Sequence, residues 1–138
     1  MSDFVLDASL ALQWFLEDEA DRKYSLAVLA SLSEKRAQVP LLWFYEVANG
    51  LLMAYRRNRI ALEQISGFVT RLRVLPIDAV GQTPEEIFDL PRTAVSYGLT
   101  SYDAAYVALA LQSKLPLATN DSRLRKAATS IGIMILAV

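Results

Sequence analysis

The chain alternates short apolar runs with longer stretches of helical spacing. Phe4-Val5-Leu6 reads as a buried strand that ends at Asp7. Ala8 to Leu16 has helical character, and the acidic Glu17-Asp18-Glu19 breaks it as a solvated turn. A helix is expected from about Ala20 to Lys35, with Tyr24, Ala27, Val28 and Leu32 on one face. Gln38-Val39 reads as a second strand, closed by Pro40. Leu41 to about Asn58 reads as a long helix wrapped almost entirely in apolar residues, which predicts burial rather than amphipathicity. Glu46 and Asn49 interrupt it, three apart and hence on one face. Ala61 to Arg73 follows as an amphipathic helix. Val74-Leu75-Pro76-Ile77 is a third strand, with Pro76 arguing for an edge or a strand end. Thr83 and Pro84 open a helix near Glu85, Pro91 kinks or restarts it, and Gly98 ends it. The next helix spans Ser101 to Lys114, and Thr100 with Asp103 three residues on is a capping-box pattern. Leu117-Ala118-Thr119 is a fourth strand before Asn120-Asp121. A helix from Ser122 to Ser130 is stopped by Gly132, and Ile133 to Val138 is the last strand.

Short continuous apolar strands joined by helical connections argue an α/β fold, with a mainly parallel sheet covered on both faces. The length, 138 residues, suits one domain, 1–138, with a core large enough to need no staples. There is no cysteine, which excludes disulfides, thiolate zinc sites and cysteine nucleophiles. There is no histidine, which removes the commonest general base and the imidazole ligands zinc prefers. A metal site here must use oxygen ligands, which favours magnesium or manganese, with calcium possible. Net charge is −1 and the pI is 5.4, so the overall field does not announce a nucleic-acid binder, while local basic patches remain open. The start, Met1-Ser2-Asp3, lacks a basic n-region, and no uncharged run, Val39 to Tyr45 included, is long enough to span a bilayer. The expectation is a soluble cytoplasmic protein without a membrane partner. Neither a Rossmann glycine fingerprint nor a Walker loop is present.

Four acids carry the candidate chemistry. Asp7 and Asp121 each follow the carboxyl end of a strand, where open parallel sheets bind ligands. Asp103 opens a helix whose preceding loop can reach the same edge. Glu46 can project there from the long apolar helix, where a lone carboxylate costs several kcal/mol unless paired or metal-bound. Each has a structural reading beside the chemical one. Asp7, Asp103 and Asp121 suit helix starts, and Glu46 could pair with Arg92 or Arg123. Four converging carboxylates cannot all stay ionised without compensation, which a divalent cation supplies. Arg56, Arg57 and Arg59 form one basic cluster and Arg123, Arg125 and Lys126 another. Both suit phosphate contact, and equally a helix C-terminus or a solvated helix face.

Val5-Leu6-Asp7-Ala8-Ser9, Tyr45-Glu46-Val47-Ala48-Asn49, Thr100-Ser101-Tyr102-Asp103-Ala104-Ala105-Tyr106 and Ala118-Thr119-Asn120-Asp121 resemble, in order, the motifs of PIN-domain nucleases. The likeness is to VapC toxins of VapBC toxin–antitoxin pairs and covers nearly the whole chain. It implies a three-layer α/β/α sandwich on a central parallel sheet. It implies RNA cleavage dependent on Mg²⁺ or Mn²⁺, inhibition by a cognate VapB-like antitoxin, and a homodimer. The acidic quartet maps onto Asp7, Glu46, Asp103 and Asp121, as metal-holding and catalytic residues. Ser9, Asn49 and Thr119 match the family's neighbouring polar positions and are candidate supporting donors. The first two helices and the Leu41–Arg73 helix pair are where the family binds antitoxin. Competing readings are phosphoryl transfer through Asp7 as nucleophile, a catalytically inert metal- and partner-binding module, and a PIN nuclease of RNA processing that is not a toxin. The first is disfavoured by Ser9, which stands where haloacid-dehalogenase-like phosphatases place a general acid.

Overall fold

A computed structural model describes residues 3–138; residues 1 and 2 of the expected domain lie outside the described residues. Four parallel strands form one sheet, β1 (Phe4–Leu6), β2 (Ala37–Pro40), β3 (Ile77–Val80) and β4 (Leu117–Ala118), in the order β3-β2-β1-β4. The helices are α1 (Ala8–Leu12), α2 (Lys23–Ser31), α3 (Leu42–Arg56), α4 (Leu62–Arg73), α5 (Pro84–Phe88), α6 (Leu90–Tyr97), α7 (Ser101–Ser113) and α8 (Ser122–Ile131). They flank the sheet in the expected α/β/α arrangement. Phe4, Val5 and Leu6 are fully buried, as a strand paired on both edges requires. The chain runs from β1 outward through β2 to β3, then returns to place β4 on the other side of β1. That reversal makes the carboxyl ends of β1 and β4 the topological switch point, where such sheets open a crevice.

α7 packs across β1 and β2 and against α6 and α8, and α1 packs on α3. The α1–α3 approach depends on Gly50, because a Cβ there would run into the Leu12 side chain. Ala104 and Ala105 are buried and small, and they pack α7 against Leu90 and Ala94 of α6 rather than against the sheet.

Several boundaries differ from expectation for identifiable reasons. The first helix stops at Leu12, because the next turn tightens. Gln13, Trp14 and Phe15 donate to Leu10, Ala11 and Leu12, three residues back. The carbonyls of Gln13 and Trp14 are taken by the Arg22 guanidinium, at 2.8 and 3.0 Å, so the second helix begins only at Lys23. The third strand is Ile77–Val80, three residues later than Val74–Ile77. Pro76 has no N–H to donate and gives only its carbonyl, to Ala37, so the ladder with β2 starts at Ile77.

The last strand, expected over Ile133–Val138, is a single bridge between Ile135 and Leu117. Extending it would require the backbone of Thr119, whose carbonyl instead accepts from Arg125 Nε at 2.6 Å. On the other side, the Leu115 N–H is spent on Ala110 at the end of α7. The long helix α3 is not buried all round. Trp43, Val47, Leu51 and Ala54 face the core, while Leu41, Phe44, Tyr45, Leu52 and Tyr55 are exposed. Among the described residues, no helix is long and apolar enough to cross a membrane.

Candidate active site

Asp7 sits one residue beyond β1 and is only 5% exposed. Its extended backbone makes it the N-cap of α1, and the side chain accepts from the Ser9 N–H at 3.4 Å. Its Oδ2 accepts two hydroxyls, Ser9 Oγ at 2.6 Å and Thr119 Oγ1 at 2.7 Å. Thr119 is fully buried at the end of β4, so this bond ties the two strand ends at the switch point. The Asp7 N–H donates to the Ala118 carbonyl at 3.0 Å and reinforces the tie.

Asp121 follows two residues later and caps α8. Its Oδ1 accepts from the N–H groups of Arg123 and Leu124, at 2.9 and 3.2 Å, and its own N–H donates to Thr119 Oγ1 at 3.0 Å. Thr119 therefore connects Asp7 and Asp121 through one oxygen. Asp103 lies in the first turn of α7, where Thr100 Oγ1 accepts its N–H at 3.1 Å. The Asp103 carboxylate does not complete a capping box; it is half-buried and feels the charges of Asp7 and Asp121. Glu46 is half-buried on α3, and its partner is neither Arg92 nor Arg123. Tyr106, three residues after Asp103 and fully buried, donates its hydroxyl to Glu46 Oε1 at 2.5 Å.

Electrostatics links the four acids. Burial raises the pKa of Asp7 above the usual carboxylate range, against its hydroxyl donors, and the Asp121 charge adds to the rise. Burial also raises Glu46, opposed by the Tyr106 hydroxyl and reinforced by Asp7 and Asp103. Asp103 is raised by burial, then by Asp7 and Asp121, with the Thr100 hydroxyl and then Arg123 pulling the other way. The acids repel one another across a shared edge, although among the described residues no three close into a ready metal cage. The donor chemistry fits a hard divalent cation: carboxylate oxygens, hydroxyls that orient them, and excess negative charge.

These raised values have a stability consequence. The folded protein holds protons on Asp7, Glu46 and Asp103 more tightly than the unfolded chain does. Their contribution is therefore fully present below the ordinary carboxylate range and is lost as pH rises through the raised values. In a chelating buffer, the melting temperature should fall between mildly acid and neutral pH, and Asp7→Asn should flatten that slope. Asp18, Asp78 and Glu86, held low by Arg59, Arg36 and the Thr83 cap, act in the opposite sense at more acid pH.

The remaining expected residues separate. Ser9 and Thr119 are in the site. Asn49 is exposed on α3 and makes no side-chain hydrogen bond among the described residues. Arg59 is held by Asp18, at 2.7 and 2.8 Å, and by Glu19 at 3.4 Å, away from the acids. Arg125 turns inward, donating to Thr119 and stacking over Tyr24, with its guanidinium carbon 4.7 Å from the ring centre. Arg56 and Arg57 are exposed at the end of α3. Arg123 and Lys126 are exposed on α8 and line a groove of about 370 Å³ with Ser96, Tyr97 and Ser130. Sequence reasoning assigned Tyr106 no role, although its spacing from Asp103 places both on one helix face.

Comparison with known proteins identifies the family and the fold. The PIN domain family model matches residues 4–129. The chain is 31% identical over 124 residues to Ribonuclease VapC3 of Pyrobaculum aerophilum, covering 87% of this chain and 90% of that protein. The crystal structure of PAE2754 from Pyrobaculum aerophilum superposes with a TM-score of 0.69 at 25% identity, covering 91% of this chain and 84% of that one. A toxin–antitoxin complex from Klebsiella pneumoniae has the same fold, with a TM-score of 0.63 at 18% identity and 96% of each chain covered. With its four acids at the switch point of a parallel sheet and a family match across nearly its whole length, the chain belongs to the PIN-domain family.

Proposed function

We propose that residues 1–138 act as one PIN-like nuclease domain, a VapC-like toxin that cleaves RNA with the help of Mg²⁺ or Mn²⁺. The observation that carries this reading is the mutual repulsion of Asp7, Glu46, Asp103 and Asp121 at the switch point, in a chain with no histidine or cysteine. The relative named Ribonuclease VapC3 and the Klebsiella pneumoniae toxin–antitoxin complex support it. When bound, the cation would supply an activated water at neutral pH and stabilise charge on the phosphoryl oxygens. Asp7 and Asp103 would hold it most directly, and Glu46 and Asp121 would complete the site or orient the attacking water. Ser9 and Thr119 orient Asp7, and the Thr119 hydroxyl also accepts the Asp121 N–H. RNA cleavage that needs added Mg²⁺ or Mn²⁺ and stops with chelator is the expected result. Equal cleavage in chelator would overturn the reading.

The RNA backbone needs cations beside this acidic edge. Arg123 tempers Asp103 and shares the α8 groove with Lys126, which makes this pair the stronger phosphate candidate; Arg56 and Arg57 form a second patch. The double substitution Arg123→Gln/Lys126→Gln should weaken RNA binding and reduce the slope of log affinity against log salt by about 0.7 per lost single-strand contact. An unchanged slope removes this pair from the interface.

The antitoxin proposal rests on the exposed side of α3. Phe44, Ala48, Val69 and Leu72 line an apolar groove of about 520 Å³ between α3 and α4, suited to an amphipathic segment of a VapB-like partner. Other exposed apolar residues of α3, such as Tyr45 and Leu52, leave surface for a homodimer. Growth arrest on expression, relieved by co-expressing the cognate antitoxin, separates the toxin from an RNA-processing nuclease.

A further inference from the structure

Glu46 is the acid of the quartet that no helix cap explains, and the structure holds it in an unusual way. Among the described residues, no arginine or lysine forms an ion pair with it. Its one side-chain partner is the phenol of Tyr106, fully buried and 60 residues away in sequence. Tyr106 belongs to the same helix as Asp103, one turn further on, while Glu46 belongs to α3. One hydrogen bond therefore sets the carboxylate of α3 relative to the acid of α7.

The choice of donor has a physical meaning. An arginine in this place would fix Glu46 as well, but would cancel the negative charge that a cation needs. A neutral hydroxyl fixes the carboxylate and leaves the charge in place. Burial and the neighbouring Glu46 both oppose ionisation of the phenol, so it remains a donor. The buried ring leaves it little freedom to turn away.

We infer that Tyr106 is a positioning residue of the acid site: its buried hydroxyl holds the Glu46 carboxylate in one orientation at the edge shared with Asp7 and Asp103, and so sets how tightly the site grips a divalent cation. The inference rests on the metal-dependent nuclease reading. Partners that orient metal-holding groups from behind typically change affinity by roughly 10–100-fold when removed.

The test is Tyr106→Phe in the full chain, which keeps the ring and removes the hydroxyl. Mn²⁺ affinity, measured by calorimetry without RNA, should weaken by roughly 10-fold or more. In cleavage assays at fixed Mn²⁺, kcat should fall while KM for RNA stays within about two-fold, because the phenol touches no substrate. Adding Tyr106→Phe to Glu46→Gln should weaken Mn²⁺ binding no further, since the group it positions has already lost its charge. A lower melting temperature with unchanged Mn²⁺ affinity would mean that the hydroxyl serves packing alone, and would overturn the inference.

If Tyr106→Phe fails to fold, Glu46→Asp retains the charge but withdraws the carboxylate from the phenol; undiminished Mn²⁺ affinity there is equally decisive against it. Asp103→Asn separates the two levels. If that variant binds Mn²⁺ as the wild type does, the metal-site reading itself fails. If it loses Mn²⁺ while Tyr106→Phe retains it, only the role of Tyr106 fails.

Discussion

Asp103→Asn should reduce metal-dependent RNA cleavage by about 10²-fold or more while the protein stays folded. A carboxylate that helps hold the cation contributes several kcal/mol of transition-state stabilisation, and each loss of about 1.4 kcal/mol costs tenfold in rate. The fold has no comparable dependence on this charge. Thr100 caps the backbone N–H of residue 103 whichever side chain stands there. The carboxylate itself is opposed by burial and by Asp7 and Asp121, which raise its pKa. In chelator, the asparagine variant should therefore be more stable than the wild type, by up to about 1 kcal/mol given the partial exposure of the site. Added Mn²⁺ should reverse that order by stabilising only the protein that binds it. The pair of measurements is discriminating. Full activity in Asp103→Asn would sink the mechanism, and a large loss of chelator stability would make Asp103 a structural residue instead.

Thr119→Val should be the most damaging single change near the site for stability. The substitution is close to isosteric, so it tests hydrogen bonds rather than volume. Thr119 is fully buried, and its hydroxyl donates to Asp7 Oδ2 at 2.7 Å while accepting the Asp121 N–H at 3.0 Å. Valine removes both. Asp7 then keeps a buried carboxylate with one hydroxyl donor fewer, and a hydrogen bond to a charged group is worth about 1.5–3 kcal/mol. The Asp121 N–H also loses its acceptor. A total of about 2–4 kcal/mol follows, which lowers the midpoint of denaturant unfolding without altering its slope. Thr119→Ser keeps the hydroxyl and should recover most of the loss. A valine variant as stable as wild type would show that water replaces the hydroxyl at no cost, and would remove Thr119 from the argument that β1 and β4 are tied through the site.

The two predictions depend on one device. Each of the aspartates is placed by an ordinary local rule, Asp7 and Asp121 as helix N-caps and Asp103 in a capped first turn. Structural and chemical readings of these acids are therefore not alternatives. Capping by Asp121 uses its Oδ1, and the hydroxyls on Asp7 converge on its Oδ2. The caps orient the carboxylates, and the sheet reversal brings their elements to one edge. Stability is spent at this edge, as the raised carboxylate pKa values indicate, and metal binding is the natural compensation.

The linear sequence determined much of this protein. Hydrophobic period separates strands from helices, and Thr-Pro, Gly and Asx signals set several helix ends, because those are local steric and hydrogen-bonding preferences. The acids stood out for the same reason: a carboxylate after a strand or inside an apolar helix is visible without coordinates. Tertiary structure decided the rest. It moved the third strand past Pro76, where the β2 ladder needs N–H donors. It reduced the last strand to one bridge, because Arg125 takes the Thr119 carbonyl. It left much of α3 exposed, since apolar periodicity cannot distinguish a core face from one left exposed at the surface. It divided the cations, tying Arg59 to Asp18 and Arg125 to the backbone while leaving Arg123 and Lys126 exposed. It also gave Glu46 its partner. Two side chains 60 residues apart meet only when α3 and α7 pack, so their bond belongs to the assembled fold and to no local pattern.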